Sequence, residues 1–227
     1  MTKPTLYIIH GWTYTISHWE TTLKILKEQG INVIMLNVPG LTTNSKKVFT
    51  IDDYVKWADD NIPDGAIALG HSNGGRILLN LMLQKPEKLK HMILVSAAGV
   101  YEPSRKRDFL RLGSKIFAGF KKIPWVRRAF HKVIGANDYD RAPENMKKTL
   151  TNMLESDRQL HIEDVKTPTT ILWGERDRVT PPHQAKIMHD KIKGSKLKMY
   201  KNWTHAPYIS DPEDFARAIK TALGEIE

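Results

Sequence analysis

Ala66-Ile67-Ala68-Leu69-Gly70-His71-Ser72-Asn73-Gly74-Gly75-Arg76-Ile77-Leu78 carries two different patterns with three residues between them. Ala66 to Leu69 is a short apolar run of the strand type leading into Gly70, and Asn73 to Gln84 has the helical period. A sharp turn between them forces the serine at its middle into a strained backbone conformation. The positions two before and two after it, Gly70 and Gly74, must then be small for the chain segments to approach. The Ser72 hydroxyl is left exposed at the N-terminus of a helix, where free N–H groups and the helix dipole favour a developing negative charge. Gly75 suits close packing of that helix. His71 is expected to pack under the turn and Asn73 to reach the site.

Outward from this turn the same alternation repeats. Strand-like runs at Leu6–Ile9, Asn32–Leu36, Met92–Val95, Thr170–Trp173 and Leu197–Tyr200 are separated by helix-period stretches near Ser17–Gln29, Tyr54–Asn61, His183–Ile192 and Pro212–Leu223. Gly30 stops the first helix, and Pro39-Gly40 ends the second strand. Continuous apolar strands joined by amphipathic helices predict an α/β fold with a parallel sheet covered on both faces.

Residues 101–159 interrupt the alternation with three helix-period segments and no strand pattern. Phe109, Leu112, Ile116, Phe117 and Phe120 share one helical face, and Trp125, Val126, Ala129, Phe130 and Val133 share another. Pro143 opens the third segment, with Met146, Leu150, Met153 and Leu154. Of the net charge of +10, residues 101–148 supply +8, from thirteen Lys/Arg against five Asp/Glu. The basic character belongs to this insertion. At 227 residues with 41% hydrophobic and 26% charged content, the chain excludes disorder and fibres. With no cysteine, thiolate metal sites, disulfides and cysteine nucleophiles are excluded too. The apolar run near Met1–His10 is too short for a signal peptide and no window reaches a membrane span, so a cytoplasmic protein is expected.

A serine hydroxyl needs a base, and the base needs an orienting group. Asp177, in Trp173-Gly174-Glu175-Arg176-Asp177, follows one strand, and His205, in Asn202-Trp203-Thr204-His205, follows the next. That puts both at the carboxyl ends of strands, where ligands of open α/β sheets bind. The other histidines, including His18, His91, His131, His161, His183 and His189, lack metal-ligand spacing, so no metal is expected.

Taken together, the chain resembles the serine hydrolases of the α/β-hydrolase fold over essentially its whole length. His10-Gly11-Trp12 resembles their oxyanion loop, Gly70 to Gly74 their nucleophile elbow, and Trp173 to Asp177 their Trp-Gly-x-x-Asp acid motif. The resemblance implies Ser72 as nucleophile, His205 as general base and Asp177 as its orienter. It also implies the Trp12 and Asn73 backbone N–H groups as the oxyanion hole, with His10, Gly11, Gly70 and Gly74 in support. It implies a core of residues 1–100 and 160–227 in one domain, with residues 101–159 as a helical lid whose Phe109, Phe117, Phe120, Trp125 and Phe130 face the substrate.

Two departures qualify the resemblance. The chain begins at what would be the family's third strand, so a reduced sheet of six strands, all parallel, is expected, with one edge open to pairing. The oxyanion loop has one glycine before a bulky Trp12, unlike the glycine runs of many esterases. Carboxylesterase chemistry on a small-molecule acyl substrate, without cofactor, is the leading expectation. C–C bond hydrolase, lactonase, aminopeptidase and non-catalytic ligand-binding members of the fold are the alternatives. No nucleic-acid partner is expected. An anionic membrane or anionic substrate at the basic lid, and a monomer or homodimer, complete the expectations.

Overall fold

The computed structural model describes residues 5–102 and 142–226. Its sheet has six strands, all parallel, in the order β2-β1-β3-β4-β5-β6. The strands are β1 (Thr5–Ile9), β2 (Asn32–Leu36), β3 (Ala66–His71), β4 (Leu89–Val95), β5 (Thr169–Gly174) and β6 (Lys196–Tyr200). The reduced all-parallel sheet expected from the sequence is the sheet observed, and β2 is one of its two edges.

Side-chain alternation along the strands feeds two cores. Leu6, Ile8, Ile67, Leu69, Ile93, Val95 and Leu172 point to a core shared with α1 (Glu20–Glu28) and the C-terminal helix α7 (Pro212–Gly224). Ala68, Met92, Leu94, Ile171 and Trp173 point to the opposite core, shared with α2 (Ile51–Asn61), α3 (Asn73–Gln84) and α5 (Pro182–Lys191). Burial on both faces is why these strands read as continuous apolar runs rather than alternating ones.

Several element ends differ from the sequence expectation. α2 begins at Ile51 rather than Tyr54, because Thr50 and Asp53 form a reciprocal capping box. Ser17–Trp19 is a 3-10 turn leading into α1, and a short helix α6 (Pro207–Ser210) follows β6. Gly30, at φ 78°, ends the α1 region as expected.

Of the 101–159 stretch, α4 (Glu144–Ser156) lies within the described residues. It is lashed to the loop after β2. Thr149 Oγ1 accepts from Phe49 N–H at 2.9 Å, Asn152 donates to the Phe49 carbonyl, and Asn145 donates to those of Ser45 and Lys47. Met146 and Met153 enter the same core as α2 and α3. Phe109, Phe117, Phe120, Trp125 and Phe130 lie outside the described residues. Among the described residues no helix is long and apolar enough to cross a membrane, and no cluster of His, Asp or Glu is arranged to hold a metal ion.

Candidate active site

The order of the sheet reverses direction at β1, whose chain leaves toward β2 and returns to β3 on its other side. Such a reversal opens a crevice at the carboxyl ends of the strands. Ser72 follows β3 there, at φ 51° and ψ −116°, a left-handed conformation that costs a non-glycine residue about 1–3 kcal/mol. Its backbone is pinned on both sides. Its N–H donates to the Val95 carbonyl at 3.1 Å, and its carbonyl accepts from Gly75, Arg76 and Ala98.

The flanking glycines are required by contact. A Cβ on Gly74 would lie 2.1 Å from the Ile9 carbonyl oxygen, and one on Gly70 would lie 2.7 Å from the Gly74 backbone. A Cβ on Gly75 would meet the Ala97 Cβ at 2.4 Å, which is the close helix packing expected of that residue. Gly11 is equally constrained, since a Cβ there would reach His71 Nδ1 at 2.8 Å and Ser72 Cβ at 3.0 Å.

The structure brings Ser72, His205 and Asp177 into one chain of hydrogen bonds. His205 Nδ1 lies 2.9 Å from Asp177 Oδ2, and its Nε2 lies 3.0 Å from Ser72 Oγ. A carboxylate only accepts, so the proton belongs on Nδ1 and Nε2 is free to accept from the serine hydroxyl. Asp177 is buried, whereas Glu175, two residues before it, is exposed. Burial alone would raise the Asp177 carboxyl. The hydrogen bond and charge of His205 and the N–H of Val179 outweigh it and hold the group below the usual carboxylate range.

The loops carrying Asp177 and His205 are themselves joined. Glu175 N–H donates to the Tyr200 carbonyl and Arg176 N–H to that of Trp203, while a Cβ on Gly174 would lie 2.2 Å from the Trp203 oxygen.

Two further groups belong to the site that sequence reasoning missed. Thr180 donates its N–H to Asp177 Oδ1, and its hydroxyl lies 2.9 Å from Asp177 Oδ2, 3.1 Å from the Ser96 carbonyl and 3.2 Å from His205 Nδ1. Arg76 and Asp157 form a buried ion pair beside Asn73. The run Asp177 to Thr180, an acid followed by a hydroxyl residue three positions on, was the available signal for the first. The second spans eighty-one residues and left no local trace.

His10 and His71 line the site without joining the hydrogen-bond chain. His10 Nδ1–H donates to the Gly11 carbonyl, which leaves Nε2 to accept from the Thr42 hydroxyl. Burial holds the His10 ring below its ordinary value, so it is neutral and fixes the 10–12 loop. His71 packs under the turn as expected. Its Nε2–H donates to the His205 carbonyl at 2.8 Å, and its ring sits against Trp19 and Tyr208. Burial, with the charge of His205 beside it, pushes His71 down to about 3. The N–H groups of Trp12 and Asn73 donate to no acceptor among the described residues, and Asn73 is the first residue of α3, where N–H groups are free by geometry.

The family model described as serine aminopeptidase, S33, matches residues 1–213. Pimeloyl-[acyl-carrier protein] methyl ester esterase of Nitrosospira multiformis is 24% identical, over 93% of this chain and 91% of its own. The protein of the same name from Nitrosomonas europaea is 20% identical, over 93% and 92%. The crystal structure of the Paleococcus ferrophilus monoacylglycerol lipase superposes with a TM-score of 0.69 at 18% identity, covering 99% of this chain and 96% of that one. The chain therefore belongs to the serine aminopeptidase S33 family and has the α/β-hydrolase fold.

Proposed function

We propose that Ser72, His205 and Asp177 are the nucleophile, general base and orienting acid of this carboxylesterase-type hydrolase. The observation that carries the reading is the unbroken path from Ser72 Oγ through His205 to a buried Asp177. Ser72 Oγ attacks the ester carbonyl carbon as its proton passes to His205 Nε2. The carbonyl oxygen becomes an oxyanion facing the Trp12 and Asn73 N–H groups. Collapse breaks the bond to the alkoxide, which takes the proton from His205 and leaves as an alcohol. Water then gives its proton to His205 as its oxygen attacks the acyl carbon, and collapse breaks the bond to Ser72 Oγ, which takes that proton back from His205 as the acid is released.

The relatives' names support an ester rather than another acyl substrate, and the residue-level reading extends to the insertion. Residues 101–159 act as a helical cover on a core of 1–100 and 160–227. A substrate of the relatives' kind, an acyl ester borne by a carrier, would meet thirteen Lys/Arg against five Asp/Glu in residues 101–148. An anionic carrier suits that field.

The test is twofold. A fluorophosphonate probe should label wild type stoichiometrically at Ser72 and leave Ser72→Ala unlabelled. A panel of p-nitrophenyl esters, lactones and aminoacyl substrates should show turnover on the esters first. Labelling elsewhere, or hydrolysis undiminished in Ser72→Ala, would remove the assignment. Preferred turnover of aminoacyl substrates would place the chemistry with the aminopeptidases for which the family is named.

A further inference from the structure

Arg76 is the fourth residue of α3, charged, and 4% exposed. Its Nε donates to Asp157 Oδ1 at 2.6 Å and its Nη2 to Asp157 Oδ2 at 2.8 Å. Two parallel bonds between a planar guanidinium and a carboxylate fix the ring of atoms in orientation as well as distance. The remaining nitrogen, Nη1, then falls on Asn73 Oδ1 at 2.5 Å, one helical turn back on the same face. Asn73 is the residue whose N–H is proposed to bind the oxyanion. Its amide is held with the oxygen toward Arg76, and its Nδ2 is left buried with no partner. Buried amides without a partner are uncommon, and this one is accounted for by the claim of Arg76 on the oxygen.

Packing alone gives no reason for an ion pair at this place. A buried ion pair can often be exchanged for well-packed apolar residues of similar volume with little loss of stability, or with a gain. An apolar pair cannot hold Asn73 Oδ1. Asp157 follows the end of α4, and α4 is lashed to the 45–49 loop, so the fork has a fixed anchor outside the catalytic loops.

We propose that Arg76 is a positioning residue for the hydrolytic site: anchored on Asp157, it sets the side chain of Asn73 and through it the N–H that faces the oxyanion. This rests on the reading of Ser72 and Asn73 given above. The links are Asp157 to Arg76 to Asn73, and the effect is on the transition state, where the oxyanion exists, rather than on substrate binding.

The experiment measures kcat and KM on p-nitrophenyl acetate, together with urea unfolding, for Arg76→Met/Asp157→Leu, for Asn73→Ala and for the three substitutions combined. The double variant should keep the unfolding midpoint, hold KM within about twofold and lose about tenfold to a hundredfold in kcat, as displacement of a catalytic group by about 1 Å does. Asn73→Ala, which leaves the buried pair intact, should lose kcat to the same degree, and the triple variant should lose little more, because the residues act in series. A folded double variant with wild-type kcat overturns the proposal. Should the double variant fail to fold, Asn73→Ala decides alone, and wild-type kcat there overturns it equally. Ser72→Ala is run beside them. If it is inactive while the positioning variants match wild type, only the positioning role falls, and if it retains hydrolysis, the underlying site reading falls with it.

Discussion

At Ser72 the chain holds a conformation that nothing in the serine itself favours. What keeps it is the carbonyl of Val95 on one side, three N–H groups on the other, and the absence of side chains at Gly70, Gly74 and Gly11. Gly74→Ala should therefore be among the costliest single-methyl changes available. Its Cβ meets backbone oxygen rather than a side chain that can swing aside, so strand β1 or helix α3 must move. A drop in urea midpoint of more than about 2 kcal/mol equivalent is expected, whereas Gly224→Ala, with nothing within 4 Å, should leave the midpoint unchanged or raise it. Equal midpoints for the two variants would contradict the packing argument. Asp177→Asn tests the acid. The backbone N–H groups of Val179 and Thr180 already occupy Oδ1, so the amide would put its NH2 either against those donors or against His205 Nδ1–H. In the second placement the imidazole takes the wrong tautomer, and kcat should fall by orders of magnitude, ~10⁴ in the best-studied case. Near wild-type kcat would shift the role away from Asp177, and exposed Glu175 would be tried next.

At the scale of elements, the sequence was legible wherever one strand met one turn. The Ser72 turn, Asp177 and His205 each follow a strand, β3, β5 and β6, so strand recognition alone placed all three at one end of the sheet. What stayed hidden depended on contacts between distant segments. The Arg76–Asp157 pair and the lashing of α4 to Phe49 join residues about a hundred positions apart or nearly so, and no local pattern encodes them. The misplaced start of α2 is different, because its signal was present. Thr50 caps Asp53 N–H while Asp53 accepts from Thr50 N–H, an arrangement readable as a hydroxyl residue followed three positions later by an acid. Thr50→Ala should cost about 1 kcal/mol in stability without changing kcat, since the bonds of the Thr50 cap go to Asp53 and to none of Ser72, His205 and Asp177. Urea titration against the parent checks it, and no measurable loss would mean that Lys47, bonded to Asp53, holds the helix end by itself.

For the whole molecule, acid stability follows from the histidines that the fold keeps neutral. Burial pushes His71 down to about 3 and His91 to about 4, the latter helped by Lys196 and Lys90, and burial lowers His10 as well. In the unfolded chain these rings take up protons near their ordinary 6.5. Above that pH neither state binds the proton and the three contribute no slope. Below it the unfolded state gains protons that the folded state refuses, so stability falls as pH drops, by up to about 1.4 kcal/mol per pH unit for each ring until its folded value is reached. Asp177 adds a separate loss at lower pH. Its folded carboxyl lies below 3.8, so its stabilisation is complete above 3.8 and disappears as pH falls through the folded value. Unfolding free energy measured from pH 8 to 4 should thus be flat down to about 6.5 and then decline steeply. His91→Gln isolates one contributor, since among the described residues the His91 side chain bonds the Thr170 hydroxyl, near the start of β4 and away from the Val95 end that holds Ser72, and glutamine can keep a bond there. That variant should match the parent near pH 8, show a shallower decline below 6.5 and retain wild-type kcat. A decline as steep as the parent's would show that His91 takes up its proton in the folded state too.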